Sequence, residues 1–347
     1  MNAQMALISN QFVYAAMGVY TLAFITFAVS LAATKGTTAV TAATKVGAGV
    51  PVGVGGRVGD GDSAPEVRRD EFDDSEVAVA SGAVPATPGG QVGQAPGRRS
   101  ANIGMSLTWL STLLLLAGVV TRGWSAGRVP WGNMYEFSLT AALVASVIFL
   151  VLSLRNDVRW LGIFVTGAVL LTLGLAVTVL YTESAQLVPA LKSWWLIIHV
   201  SAAIICAGGF TMIAAFASAY LVRERGERKA DGGAPTGWLA SRLPASSTLD
   251  RWTYRAVAFT FPLWTFAVIA GAIWAENAWG RYWGWDPKET WAFITWVVYA
   301  GYLHARATTG WKGRTTAIIA LVGFATFLFN YFGVNMLIPG LHSYAGV

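Results

Sequence analysis

Apolar residues gather into eight runs, near 11–34, 103–121, 135–154, 159–181, 195–222, 253–275, 290–307 and 315–338, and polar residues fill the gaps between them. A helix needs about 17–25 such residues to cross a bilayer. Inside hydrocarbon every backbone N–H and C=O must be satisfied within the protein, which a helix does by itself. The pattern therefore predicts an all-α, polytopic membrane helix bundle of about eight transmembrane helices. The fifth run is long enough to continue past the membrane. The amino-terminal tail MNAQMALISNQ has no positive n-region, so the first run is expected to be an anchor and not a cleaved signal.

The gaps are unequal. Residues 1–34 form a first anchor and 103–347 a continuous membrane domain. Between them, 35–102 is rich in Gly, Ala, Val and Pro with an acidic patch from Asp60 to Glu76. With no periodic apolar face, that segment is expected to be a disordered cytoplasmic linker. The segment from Arg223 to Arg255 is basic and reads as a helix end followed by a linker. Nineteen of the 24 Lys and Arg residues fall in 35–102, 155–159, 223–255 and 306–314, and only Arg122, Arg128, Lys192, Arg281 and Lys288 fall on the other side. Basic residues accumulate on the cytoplasmic face, so both termini are expected outside. No internal repeat is evident.

Composition agrees with the pattern. The chain is 55% hydrophobic, with a mean hydropathy of +0.53 and 12% charged residues, against about a quarter in soluble domains. In a membrane protein a net charge of +6 reports topology first, so membrane lipids and not nucleic acid are the expected surroundings. A single cysteine, Cys206, excludes an internal disulfide, a CxxC pair and a Cys-rich metal site.

One stretch breaks the apolar pattern. Residues 274–296, WAENAWGRYWGWDPKETWAFITW, hold six of the sixteen tryptophans and thread Glu276, Arg281, Asp286, Lys288 and Glu289 among them. Indoles offer flat apolar faces with one N–H donor each, so the loop at 274–291 reads as an outward-facing shelf for something flat. Asp286 before Pro287 predicts a helix start, with Asp286 as N-cap and Glu289 as the third residue of a capping box.

Only three histidines occur. His199 lies about one turn into the fifth run, and His342 just beyond the eighth, so both are on the shelf's side. His304 lies deep in the seventh run. A lone buried histidine is commonly a packing residue, but ionisable groups within a membrane mark functional paths. A flat ligand with a central iron would use the shelf and two axial imidazoles, which describes haem b. Zinc would need three or four protein ligands. Trp279, Trp283 and Trp285 are the expected haem-lining residues, and Asp286 beside them is also expected to bind the cofactor. For Trp274, Trp291 and Trp296 at helix ends, an interfacial aromatic belt is an equal reading. Haem carries two propionates, and Arg pairs with carboxylates in bidentate fashion. Arg128 and Arg281 are thus the preferred partners ahead of Lys288, with ordinary loop charges as the alternative.

WGRYWGWDPKETWAFITW, with HAR at 304–306 and LHSY at 341–344, resembles the tryptophan-rich "WWD" signature of the CcsA/ResC-type cytochrome c biogenesis proteins. RVPWGNMYEFS (128–138), LVPALKSWWLIIHV (187–200) and IAGAIWAENAWG (269–280) resemble the same family, over roughly 103–347. The resemblance implies haem delivery across a bacterial cell membrane and attachment to apocytochrome c on the outer face, by a holocytochrome c synthase-type lyase. It implies that His199 and His342 ligate haem iron outside, and that His304 ligates it at an inner site. The second inner ligand would come from a ResB/Ccs1-type membrane partner subunit. The reaction would add two cysteine thiols of a CxxCH motif across the haem vinyl groups. A haem exporter without attachment activity, or a quinone- or lipid-binding subunit, are the rival readings.

Overall fold

The computed structural model describes residues 3–33, 97–184 and 192–342, which belong to one compact unit. Among them every regular element is a helix. In chain order these are α1 (Ala3–Ala33), α2 (Arg98–Ala126), α3 (Met134–Arg155), α4 (Gly162–Thr178), α5 (Trp194–Lys229), α6 (Ser246–Trp279), α7 (Pro287–Thr308) and α8 (Arg314–Leu328). α8 runs on through a π turn (Phe329–Gly333) into the short α9 (Val334–Leu337). The protein is a multi-pass membrane protein. Among the described residues seven helical spans are long and apolar enough to cross a bilayer, α4 counted with the turn before it (Arg159–Thr178) and α8 with α9 (Arg314–Leu337). The exception is α7, whose 22 residues suffice in length but include Trp, Tyr, Thr, His and Arg side chains.

The expected linker at 35–102 lies outside the described residues except for its end. There the expectation was one turn too long, because residues 98–102 already belong to α2. The expected loop at 274–291 is shorter than the sequence suggested: 274–279 finish α6, and Pro287 starts α7. α5 extends to Lys229, beyond its apolar run, and Arg223 ties that extension down by donating to the carbonyls of Ala240 and Leu243, each at 2.8 Å.

Helix ends follow local chemistry. Asn133 caps α3 by accepting from the Glu136 N–H at 2.8 Å. Gly127 and Gly280 end α2 and α6 with φ of +63° and +70°, where glycine carries no Cβ penalty. Two apolar cores result. One joins α1 to α4 through Tyr20, Phe27, Phe149 and Leu161, and the other joins α5 to α8 through Phe210, Trp264, Tyr299 and Phe327. Small residues allow close crossings, as expected where lipid supplies no drive for helix association. A Cβ at Gly209 would meet Thr260 at 2.4 Å, and one at Gly162 would meet Phe27 at 2.5 Å.

The connections at 127–133 and 280–286, residues 192–193 before α5 and residues 338–342 after α9 meet at one end of the bundle. The other end is held by Arg306, which binds Asp250 through two hydrogen bonds of 2.8 and 3.0 Å.

Candidate functional site

A cavity open at its mouth lies beneath the loop end, between α3, α5, α6, α7 and the α8–α9 turn. Its walls are apolar and aromatic, including Trp131, Phe137, Trp264, Trp274, Trp279, Trp283 and Phe327. Two histidines, Lys288, Glu289 and three asparagines supply the polar minority. Ligand sites commonly have this composition.

His199, in the second turn of α5, places Nδ1 2.7 Å from the Ala267 carbonyl of α6. A carbonyl can only accept, so Nδ1 carries the proton and Nε2 keeps its lone pair. Glycine at 271 makes this approach possible, since a Cβ there would sit 2.7 Å from the imidazole.

His342 places Nδ1 2.9 Å from Asp286 Oδ2. Asp286 does more than cap. It accepts the Lys288 N–H at 3.2 Å as the N-cap of α7, while its Oδ1 accepts the Leu341 N–H at 2.8 Å. The expected capping box is present, with the Glu289 carboxylate accepting from the Asp286 N–H at 3.0 Å. Burial alone would push the Asp286 carboxyl up, but the hydrogen bonds from His342, Leu341 and Lys288 hold it down at about 2. An ionised carboxylate only accepts, so His342 also donates through Nδ1 and leaves Nε2 free. A carboxylate partner of this kind fixes the orientation of the ring and leaves Nε2 available to a ligand.

Both imidazoles contact one indole. Trp274 is 2% exposed and stacks on His199, with ring centroids 6.2 Å apart and planes 6° apart; the His342 centroid is 5.9 Å away. Trp279 packs edge-on against Trp274 at 4.8 Å and His342 at 4.9 Å. Trp274 is therefore not a belt residue. Trp296 packs parallel to Phe293 and donates to Thr265 at 2.9 Å, while Trp291 packs on Phe329 at 4.2 Å.

The other expected site residues separate. Trp283 lines the cavity. Trp285 does not: it is 63% exposed, has a φ of +57°, and packs against Phe293. Arg128 spends its guanidinium on Glu136, at 2.7 and 3.2 Å, and Arg281 reaches toward Glu289 at 3.4 Å. Neither lines the cavity, whereas Lys288 does. His304 lies on an exposed stripe of α7 with Phe293, Val297 and Gly301, away from the cavity. The sequence reading missed Trp131, Asn330 and Tyr331. Trp131 stands in a quoted segment, but nothing local marks the other two inside an apolar run.

Among the described residues no three His, Cys, Asp or Glu side chains gather to hold a bare metal ion. The donor set of two imidazoles with free Nε2 atoms in an aromatic cavity fits an iron already held in a flat macrocycle. Buried polar atoms without partners within the described residues, Trp131 Nε1, Trp274 Nε1 and Asn330 Oδ1, also belong to cavity residues. Each would gain from a ligand with polar substituents.

Residues 131–342 match the family model described as cytochrome C assembly protein. The chain is 36% identical over 278 residues to the cytochrome c biogenesis protein CcsA of Microcystis aeruginosa, covering 68% of this chain and 85% of that one. It is 38% identical over 277 residues to CcsA of Pinus thunbergii, covering 70% and 85%. Among solved structures it is similar to the cytochrome c heme lyase CcmF, with a TM-score of 0.60 and 16% identity. That likeness covers 94% of this chain and 46% of the other, and at such identity it speaks for the fold.

Proposed function

The chain belongs to the cytochrome c assembly protein family, and from that premise we propose that it is the haem-binding membrane subunit of a cytochrome c synthase. Its cavity holds haem b, as substrate, for attachment to apocytochrome c. The observation that carries this reading is the pair of imidazoles on Trp274, each with Nδ1 engaged and Nε2 free.

The chemistry is addition of a thiol S–H across each haem vinyl group. Sulfur bonds to the carbon next to the ring and the hydrogen ends on the terminal carbon, so no atom leaves and no oxidant is needed. The sole cysteine, Cys206, is buried against the Thr260 carbonyl, so the thiols come from the CxxCH motif of another protein. The chain's part is positioning, which makes the encounter effectively unimolecular. His199 and His342 would hold the iron through their Nε2 atoms, and Trp274, Trp279 and Trp283 would hold the ring. Asp286 keeps the Nδ1 of His342 occupied, and through Leu341 anchors the tail that carries this ligand. Exchange of either imidazole for the histidine of the CxxCH motif would loosen the product.

His304, exposed toward the surroundings of α7, ligates haem at an inner site that a ResB/Ccs1-type partner subunit completes. The loop end faces outward from a bacterial cell membrane, consistent with the Lys/Arg bias.

The test is a visible spectrum of the complex purified with its partner. Wild type shows bis-imidazole haem absorbance, and His199→Ala and His342→Ala each lose at least tenfold in haem content at the outer site. His304→Ala removes only an inner-site component. Full haem content and full cytochrome maturation in both outer variants would sink the proposal. Export without attachment is distinguished by supplying a CxxCH peptide, on which thioether product forms only if the complex ligates.

A further inference from the structure

The cavity's charge is placed in a way the sequence did not indicate. Of the three cationic side chains weighed for carboxylate recognition, the two arginines are committed to glutamates, Arg128 to Glu136 and Arg281 to Glu289. Lys288 is different. Its Nζ has a long contact of 3.4 Å to the Asn330 carbonyl and lies 5.8 Å from the Tyr331 ring centroid. Among the described residues it makes no ion pair, because the neighbouring Asp286 carboxylate is filled by His342, Leu341 and the Lys288 backbone N–H.

Asn330 owes its position to the π turn at Phe329–Gly333. In that wider turn the Val334 N–H reaches back to Phe329 instead of Asn330, which leaves the Asn330 carbonyl free to meet the ammonium. Such single-turn bulges often occur at functional sites. Asn330 is also 6% exposed, and its side-chain oxygen has no partner within the described residues. The indole N–H groups of Trp131 and Trp274 line the same cavity and are likewise buried and unpartnered there.

A cation and unfilled N–H donors inside an apolar cavity are costly unless a ligand that accepts completes them. The geometry points to a carboxylate subsite in this cavity, with Lys288 as its cation, Asn330 as the group that positions Lys288, and indole N–H groups as supporting donors. Resting on the haem reading, this subsite takes one propionate and so selects the rotation of the macrocycle that presents its vinyl edge elsewhere.

The experiment titrates the apo complex with haem and with haem dimethyl ester, in which both propionates are neutral, for wild type, Lys288→Met and Lys288→Arg. Wild type is expected to bind haem at least tenfold more tightly than the ester. Lys288→Met should bind both within twofold of each other, and Lys288→Arg should restore most of the preference. Lys288→Met retaining the wild-type preference, or wild type showing none, would overturn the subsite while leaving haem binding intact. A wild-type complex that binds neither compound would overturn the haem reading and the subsite with it. An unfolded Lys288→Met leaves the wild-type and Lys288→Arg titrations to decide.

Discussion

The loop into α3 and the loop into α7 share one plan. Arg128 and Arg281 each stand eight residues before the glutamate they approach, Glu136 and Glu289. Each glutamate is the third residue after a side-chain N-cap, Asn133 and Asp286. Each also gathers loop N–H groups, from Gly132 at 2.8 Å in the first case and from Gly284 and Asp286 at 2.9 and 3.0 Å in the second. The two then diverge. Glu136 receives a second cation, the fully buried Arg122, and the residue before it, Tyr135, is packed into the core. At α7 the cap is a carboxylate with capacity to spare, which it uses on His342 and Leu341, and the corresponding residue is Lys288, facing the cavity. One device was thus closed with internal partners to brace the bundle. The other was left open toward a ligand.

The largest contrast should come from the two glutamates. Glu136→Ala leaves Arg122 and Arg128 buried without their counter-charge, which costs about 3–5 kcal/mol. Glu289→Gln keeps a side chain that serves in a capping box and should cost about 1 kcal/mol. Unfolding in detergent measures both, and equal costs would erase the distinction between braced and open loops.

The caps come next. Asn is as good an N-cap as Asp, so Asp286→Asn should leave α7 formed while weakening haem binding about 10–100-fold, because the partner that orients His342 is altered. Asn133→Asp should leave haem affinity unchanged. The Asp286 carboxyl is held at about 2, below its ordinary value of 3.8. Its contribution is therefore complete above about pH 4 and is lost as pH falls toward 2. The stability gap between wild type and Asp286→Asn should close over that interval; a gap that widens there would contradict the arrangement. The smallest effect belongs to Trp285. Asn tolerates its positive φ better and gives up two edge-on ring contacts, to Trp283 and Phe293, so Trp285→Asn should change stability by less than about 1 kcal/mol and haem affinity by less than twofold.

Much of this was legible in the chain because it depends on residues close in sequence. Each of the eight apolar runs became a helix, with ends displaced by up to eight residues, as at the start of α1. The Asp286–Pro287–Glu289 start of α7 formed as its residue types require. What escaped was pairing. RVPWGNMYE and RYWGWDPKE share little beyond their terminal Arg and Glu, so their common backbone plan was invisible without coordinates. Arg128 and Arg281 looked available for propionates because sequence does not show that a glutamate has already claimed each. Trp274 could be read as a belt residue until His199, from another helix, stacked on it.

By itself, then, the sequence determined the spans, the caps and which residue types reach the loop end, because helix formation and capping act over a few positions. Only the tertiary structure decided which nitrogen of His199 carries the proton, through a carbonyl 68 residues away, and that a π turn 42 residues beyond Lys288 leaves its ammonium facing the cavity. Those outcomes turn on which polar atoms meet across the packed helices. In a low-dielectric interior each meeting sets the state of both partners, and no local pattern records it.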